Sequence, residues 1–139
     1  MKTYVLIITI LISSFSFSLD SIKSRKVEKP TITHKVYLGE ALLIGTFKIE
    51  FIEVLQESRC PNGVTCIREG EVVVLVDLYE DGEKIKSKQI TVNSKSIFQK
   101  RNLYASGKFT VSVLNVLPYP DANFKTETNN YYLLLATES

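Results

Sequence analysis

Apolar and polar residues alternate along much of the chain from Thr31 onward, and this period of two is typical of β-strands with one buried face. No stretch of this region shows the 3.6-residue apolar period of an amphipathic helix. One predicted strand carries its apolar residues on a single face: Phe47, Ile49 and Phe51. Ile52 and Val54 then take over the apolar positions, and this change of face predicts a one-residue β-bulge.

A β-hairpin is predicted around Asp81-Gly82, because an Asp-Gly pair between two extended runs supplies the positive φ angles that a two-residue turn requires. The run before it, Glu71–Tyr79 (EVVVLVDLY), is apolar on both faces for most of its length, as in a central strand of a packed sheet. The other predicted strands are residues 33–38, 84–92, 108–117 and 131–136. Residues 95–104 (KSIFQKRNLY) fit either an irregular strand or one short helix.

The predicted strands form one domain of the all-β class, residues 31–139. About six to eight strands without helical crossovers favour two antiparallel sheets packed face to face, an immunoglobulin-like β-sandwich. A small barrel is the alternative. Greek-key and meander strand orders fit the same set of strands equally well.

The first 18 residues have the order of a secretory signal peptide. Met1–Thr3 is short and basic, Tyr4–Ile12 (YVLIITILI) is apolar, and Ser13–Ser18 (SSFSFS) ends in a small residue that fits a cleavage site. The alternative is an uncleaved membrane anchor, which needs roughly 20 apolar residues, more than this segment holds. We therefore expect an exported protein, periplasmic or extracellular, with no membrane span after removal of the signal.

Residues 19–30 (LDSIKSRKVEKP) form a polar leader with no apolar periodicity. We interpret this leader as a solvated segment in front of the domain. The alternative is a basic tail that contacts anionic lipid or polysaccharide, for which its few charges give only weak binding.

The composition narrows the classes of function. Among 139 residues, 17 Lys and Arg stand against 15 Asp and Glu, and a net charge of +2 is too balanced for a protein that binds nucleic acid by neutralising phosphates. One His, two Cys, one Met and no Trp leave few side chains for a metal or a redox centre. The sequence therefore predicts no cofactor, no metal site and no nucleic-acid partner.

The two cysteines, Cys60 and Cys66, are predicted to form a disulfide. Export places the domain in an oxidising compartment, and an even number of cysteines in a small exported domain is typical of disulfide pairing. Pro61 and Asn62-Gly63 lie between them and allow the chain to turn back. Closing a loop of about seven residues contributes only roughly 2–2.5 kcal/mol in the chain-entropy account, so the bond mainly fixes the shape of the loop. A C-x-x-C redox motif is absent, and a zinc site lacks nearby ligands.

A resemblance to known proteins rests on two segments: Ser58-Arg59-Cys60-Pro61-x-Gly63-Val64-x-Cys66-Ile67-x-x-Gly70 and, after a β-rich run, Leu117-Pro118-Tyr119-Pro120. Together they resemble a group of uncharacterised small secreted bacterial proteins. In that group we expect Asp before Ser-Arg-Cys-Pro and Trp-Ala-Gly after the second cysteine, whereas this chain has Glu57 and Arg68-Glu69-Gly70. The resemblance implies secretion and a β-rich fold, and it brings no activity with it.

No catalytic residue is predicted. His34 is the only histidine, the sequence shows no carboxylate partner for it, and no Gly-x-Ser-x-Gly elbow marks a nucleophilic serine. The carboxylates around Asp81-Gly82 have the chemistry for Ca²⁺, although a charged hairpin tip is the commoner explanation. Lys84, Lys86 and Lys88 share one strand face, where they either protect a sheet edge from pairing, the preferred interpretation, or bind an anion.

The sequence favours a non-catalytic binding module that presents the disulfide-closed loop to a macromolecular partner, either a protein or an envelope component. A rigid loop loses little conformational entropy on binding, and arginine is common in interface hot spots. The predicted contact residues are Arg59, Pro61, Asn62, Gly63, Val64, Arg68 and Tyr119. A protease-inhibitor-like role is one concrete form. The alternatives are a structural accessory domain of the cell envelope and, less favoured, a small-ligand carrier or an enzyme.

Overall fold

The computed structural model describes residues 30–93 and 99–139, so the predicted signal peptide and all but the last residue of the polar leader lie outside the described residues. The described chain forms eight β-strands and one short 3₁₀ helix, Thr128–Asn130. The strands are β1 Thr31–Tyr37, β2 Ala41–Ile44, β3 Phe47–Glu57, β4 Glu71–Glu80, β5 Glu83–Asn93, β6 Arg101–Ala105, β7 Thr110–Leu117 and β8 Tyr132–Glu138.

The strands form two antiparallel four-stranded sheets around a shared apolar core, which confirms the predicted β-sandwich. One sheet has the order β1-β8-β7-β6 and the other has the order β2-β3-β4-β5. The named strands pass from one sheet to the other only after β1 and after β5, so consecutive strands are neighbours within each sheet and β1 is added beside β8. This order is simpler than the Greek-key connections of immunoglobulin domains.

The core lies between the sheets and is built from alternate residues of each strand. β4 lies between β3 and β5, and this central position explains why its sequence is apolar on both faces for most of its length. The largest fully buried side chains come from both sheets: Phe47, Ile49, Phe51, Val72, Val74, Val76, Val92, Val111, Val113, Val116, Leu133 and Leu135.

Two tight hairpins close one end of the sheet that contains β2 to β5. The Asp81-Gly82 turn joins β4 to β5, and both residues have positive φ (51° and 85°), which confirms the predicted turn. Gly45, with φ 62°, begins the turn between β2 and β3. β2 was not predicted from sequence, because a run of four residues (ALLI) is too short to show a period.

β3 contains the predicted bulge and a second one. Its register against β4 shifts at Ile52 and again at Leu55. Ile52 is 36% exposed, so the expectation that it takes a core position is wrong, because the bulge leaves it on the solvent side. Together the two bulges bring Glu57 opposite Val72, a core residue, so β3 ends with a carboxylate on its inward face.

The edge strands β5 and β6 approach each other on one side of the sandwich. β6 begins at Arg101, so the last part of the segment 95–104 is a strand, while residues 94–98 lie outside the described residues. β5 is an edge strand, as its lysines predict. Lys88 Nζ donates to the backbone oxygen of Asn102 in β6 at 2.9 Å, which occupies an acceptor on that strand.

Candidate functional site

The disulfide loop, residues 58–70, lies where β3 ends and β4 begins, and the connection from β7 to β8, residues 118–131, contacts it. We call this end of the sandwich the cystine end. The β2–β3 and β4–β5 turns mark the opposite end, which we call the hairpin end. β3 has 11 residues and therefore separates the two ends by roughly 36 Å.

Backbone hydrogen bonds hold the two legs of the disulfide loop together. Ser58 N–H donates to Glu71 O and Cys60 N–H donates to Glu69 O, both at 2.8 Å. Gly70 lies in the left-handed region (φ 67°), and a Cβ atom at this position would stand 1.7 Å from Ser58 O. Only glycine fits this approach, which gives a structural reason for the glycine at the end of the loop motif.

The predicted disulfide between Cys60 and Cys66 is confirmed, with Cα atoms 5.9 Å apart. It closes the loop just beyond the hydrogen-bonded legs. Pro61 is half-buried, whereas residues 62–69 are exposed. The exposed part of the loop is therefore short and is held at its base by both covalent and hydrogen bonds.

Arg59 is buried beneath the loop, which corrects its predicted role as a partner contact. Its side chain is 1% exposed, and its Nε donates to both carboxylate oxygens of Glu57 at 2.8 and 3.1 Å. Nη1 donates to Val116 O at 2.7 Å, and Nη2 donates to Pro118 O at 3.1 Å. Because these donors are used inside the protein, Arg59 fastens the disulfide loop to the end of β7.

Two tyrosines complete the contacts of this ion pair, and we call Glu57, Arg59, Tyr119 and Tyr131 the Arg59 cluster. Tyr131 donates its hydroxyl to Glu57 at 3.2 Å, and burial, together with the nearby Glu57 charge, raises the pKa of Tyr131. The Tyr119 ring lies 4.8 Å from the guanidinium carbon of Arg59, a cation–π contact. Tyr119, predicted as a contact residue, is thus half-buried and packs against Arg59.

The tip of the loop is also joined to the β7–β8 connection. Asn62 N–H donates to Pro120 O at 2.9 Å, and Ala122 N–H donates to Asn62 O at 3.0 Å, which forms a short parallel bridge. Asp121 Oδ1 accepts the Asn123 N–H at 2.8 Å and orders the next turn. The predicted contact residue Asn62 therefore uses its backbone to unite two loops into one surface.

Three apolar side chains at the cystine end are left exposed. Ile67 is 105% exposed, Phe124 is 75% exposed and Val64 is 51% exposed. Val64 and Phe124 each follow a residue at the contact between the loops, since a Cβ atom on Gly63 would lie 3.8 Å from the Asn123 amide nitrogen. Among the predicted residues, the structure thus leaves Asn62, Gly63, Val64 and Arg68 exposed.

Two of these exposed residues, Ile67 and Phe124, were not among the contact residues predicted from sequence. Ile67 stands in the loop motif, and its signal was an apolar residue directly after the second cysteine and before two charged residues. Phe124 stands alone in a polar stretch (DANFKTETNN), where no alternation assigns it to a core. An isolated apolar residue in a polar loop was therefore the available signal in both cases.

A polar cleft of about 400 Å³ lies beside the second leg of the loop. Its lining residues are Gln56, Ser58, Arg68, Glu69, Gly70, Glu71 and Asn93. Ser58 Oγ contacts the backbone oxygen of Glu71 at 2.9 Å, so this hydroxyl has a structural partner. His34, the histidine considered above as a possible base, has its Nε2 3.2 Å from Thr137 Oγ1. Within the described ranges, no group of three or more His, Cys, Asp or Glu side chains is placed to hold a metal ion.

Among residues 30–93 and 99–139, no helix is long and apolar enough to cross a bilayer. Comparisons with protein-family profiles, curated proteins and solved structures find no match to this chain. The geometry of the cystine end is therefore the basis for inferring a function.

Proposed function

We propose that the protein is an exported, non-catalytic binding module whose cystine end recognises a macromolecular partner, a protein or an envelope component. The observation that carries the proposal is the position of Ile67, an apolar side chain left wholly exposed on a loop whose base is fastened. Such a side chain contributes nothing to the core of its own protein. Its transfer from water into a partner surface is favourable.

The rigidity of the cystine end is the second argument. Ordering a side chain or a loop at an interface costs about 0.5–1.5 kcal/mol for each group that becomes fixed. Here the disulfide, the Arg59 cluster and the bridge from Asn62 to the β7–β8 connection already order the backbone beneath the exposed residues. Less of the binding free energy is therefore lost on ordering.

Export is supported by the predicted signal peptide and by the disulfide. Disulfides persist in oxidising compartments and are rare in the cytosol. The short loop that this disulfide closes gives it a modest effect on global stability, about 2–2.5 kcal/mol in the chain-entropy account. The disulfide thus restricts the conformation of an exposed loop more than it stabilises the whole fold.

Photocross-linking tests the proposal on the protein from Leu19 onward. A photoreactive amino acid replaces Thr65, an exposed residue beside Ile67, and the matched control carries it at Leu43 near the hairpin end, where the side chain is 69% exposed. Both proteins are irradiated with envelope and medium fractions of the source cell. We expect a product from position 65 only, displaced by unlabelled wild type but not by unlabelled Ile67→Asp.

Identical products from both positions, or equal displacement by wild type and Ile67→Asp, would overturn the proposal. The disulfide-free variant, Cys60→Ser/Cys66→Ser, separates recognition from a purely structural role. If the protein is a structural accessory domain, this variant melts at a lower temperature while every cross-link persists. If the loop is the recognition surface, the folded variant also loses the product from position 65.

A protease-inhibitor-like role is one form of the same proposal, supported by the short fastened loop. Purified serine proteases mixed with the protein provide its test. Inhibition that disappears in Ile67→Asp supports this form. If none of the proteases is inhibited, the protease-inhibitor form is wrong, and the cross-linking result then decides the broader proposal.

A further inference from the structure

Two separate loop tips project apolar side chains at the cystine end. Ile67 belongs to the disulfide loop and Phe124 belongs to the β7–β8 connection. The backbone bridge between Asn62 and Asp121 places both loops at the same end of the sandwich. The exposed apolar side chains are therefore divided between two loops at this end.

A basic residue directly follows each apolar tip. Arg68 follows Ile67 and Lys125 follows Phe124, and both basic residues are exposed. Neither of their side chains has an ion-pair or hydrogen-bond partner among the described residues. The same pair of properties, an apolar tip with an unpaired cation beside it, thus occurs twice.

This repeated pairing matches the layers of a phospholipid surface. Acyl chains accept apolar side chains, and the phosphates just outside them accept Lys and Arg, whose long side chains reach back to the headgroup level. A protein pocket would have to accommodate side chains from two different loops at once, whereas a fluid bilayer takes each of them independently. The observations therefore favour a lipid surface over a protein cleft.

We propose that the partner of the cystine end is a phospholipid bilayer surface, into which Ile67 and Phe124 insert while Arg68 and Lys125 contact lipid phosphates. This inference rests on the proposed function of the cystine end as a recognition surface. The rigid base of the loops presents both tips together, because Arg59 joins the disulfide loop to the end of β7. Val64, which is half exposed, lies in the same loop as Ile67.

The expected affinity is weak and reversible. Two or three inserted side chains bury no more apolar surface than a single acyl chain, whose association constant is about 10⁴ M⁻¹. Glu69 and Glu127 are also exposed in these loops and balance the charges of Arg68 and Lys125. We therefore expect vesicles with an anionic lipid to bind within about fivefold of neutral ones, a range that corresponds to a single elementary charge at such a surface.

The chain has no tryptophan, which allows a single introduced tryptophan to report on insertion. Phe124→Trp is the reporter, and Leu43→Trp near the hairpin end is the matched control. Both are titrated, in the protein from Leu19 onward, with vesicles of phosphatidylcholine alone and with one part phosphatidylglycerol in four. We expect a blue shift and quenching by brominated acyl chains for the reporter only, and loss of both in the Phe124→Trp/Ile67→Ser double variant.

Absence of any spectral change with both vesicles would overturn the inference. Equal changes in the Leu43→Trp and Phe124→Trp variants would overturn it as well, because they indicate adsorption without orientation, for example through the basic leader. A cross-linked protein at position 65, displaced by wild type but not by Ile67→Asp, together with silent vesicles would show that the recognition proposal holds and that the lipid assignment is wrong. Failure of both experiments would remove the proposed function itself.

Discussion

Arg59 and Arg68 stand on opposite legs of the same loop, and their environments differ completely. The Arg59 side chain is 1% exposed and bonds to Glu57, Val116 and Pro118. Arg68 is exposed, with no side-chain partner among the described residues. The planar guanidinium explains this use of Arg59, because its fork of donors serves a carboxylate and two carbonyl oxygens at once. Residue type alone did not distinguish the anchor from the surface residue.

Arg59→Ala should destabilise the protein by about 3 kcal/mol, because it leaves the Glu57 carboxylate and two backbone acceptors without their donor. The control Arg68→Ala should change stability by no more than about 0.5 kcal/mol, as expected for an exposed side chain. Urea unfolding followed by circular dichroism measures both. Equal effects of the two variants would contradict the assigned role of Arg59.

At the scale of the element, the ends of β3 and β4 decide where the disulfide loop points. Two bulges in β3 place Glu57 on the inward face, and the backbone pairing continues past the strand through Ser58 and Cys60. The second leg returns through Gly70, where the chain passes too close to Ser58 O for any side chain. The bulges and the glycine thus fix the backbone direction of the disulfide loop relative to β3 and β4.

Gly70→Ala tests this close approach against a matched glycine. Gly39 also has positive φ (81°), but nothing lies within 4 Å of a Cβ atom at that position. Gly39→Ala should therefore lower the free energy of unfolding by only about 1–2 kcal/mol, the cost of a side chain in the left-handed region. Gly70→Ala should cost about 2 kcal/mol more than the control, because the Ser58 backbone must move. The difference in free energy of unfolding is the measurement, and equal costs would argue against the close contact.

At the scale of the whole molecule, the two ends of the sandwich differ in character. The hairpin end carries the aromatic contact of Phe47, Tyr104 and Phe109, and the described chain begins at this end, since Thr31 pairs with Glu138. The cystine end carries the disulfide loop and the β7–β8 connection. The first strand therefore begins at the end opposite the proposed recognition surface.

Acid stability is a property of the whole fold, and one carboxylate makes a testable contribution to it. Asp77 in β4 is buried and accepts Lys84 Nζ at 2.6 Å and Ser87 Oγ at 2.7 Å. The hydrogen bond from Lys84, followed by that from Ser87, lowers the pKa of Asp77 below its ordinary value of 3.8. A carboxyl whose pKa is lowered by folding adds stability above its ordinary pKa, and this stability is lost as the pH falls through the folded pKa.

We therefore expect the free energy of unfolding to fall more steeply with acidification, between about pH 5 and pH 2, in wild type than in Asp77→Asn. Lys84→Met should remove most of this pH dependence of the free energy of unfolding, because the hydrogen bond from Lys84 is the largest cause of the lowered pKa of Asp77. Ser87→Ala should remove less of it. Urea unfolding at a series of pH values provides the curves. Parallel curves for wild type and Asp77→Asn would show that Asp77 makes no such contribution.

The predictions from sequence succeeded where the signal was local. The β4 run, the Asp81-Gly82 turn and the bulge at Ile52 depend on neighbouring residues, and all three are present. They failed for β2, which is too short to show a period, and for the burial of Arg59, whose partners include residues of β7 and the connection after it. Contacts between residues far apart in the chain leave no periodic pattern that a single sequence displays.

The sequence by itself determined the class of fold and the closure of the loop, because alternation, turn chemistry and the pairing of the only two cysteines are properties of short segments. The tertiary structure decided which side chains lie on the surface. Packing against β7 buried Arg59 and drew Tyr119 inward, while the bridge from Asn62 brought Phe124 to the same end as Ile67. Which side chains remain exposed depends on the arrangement of distant segments, and that arrangement is set when the two sheets pack.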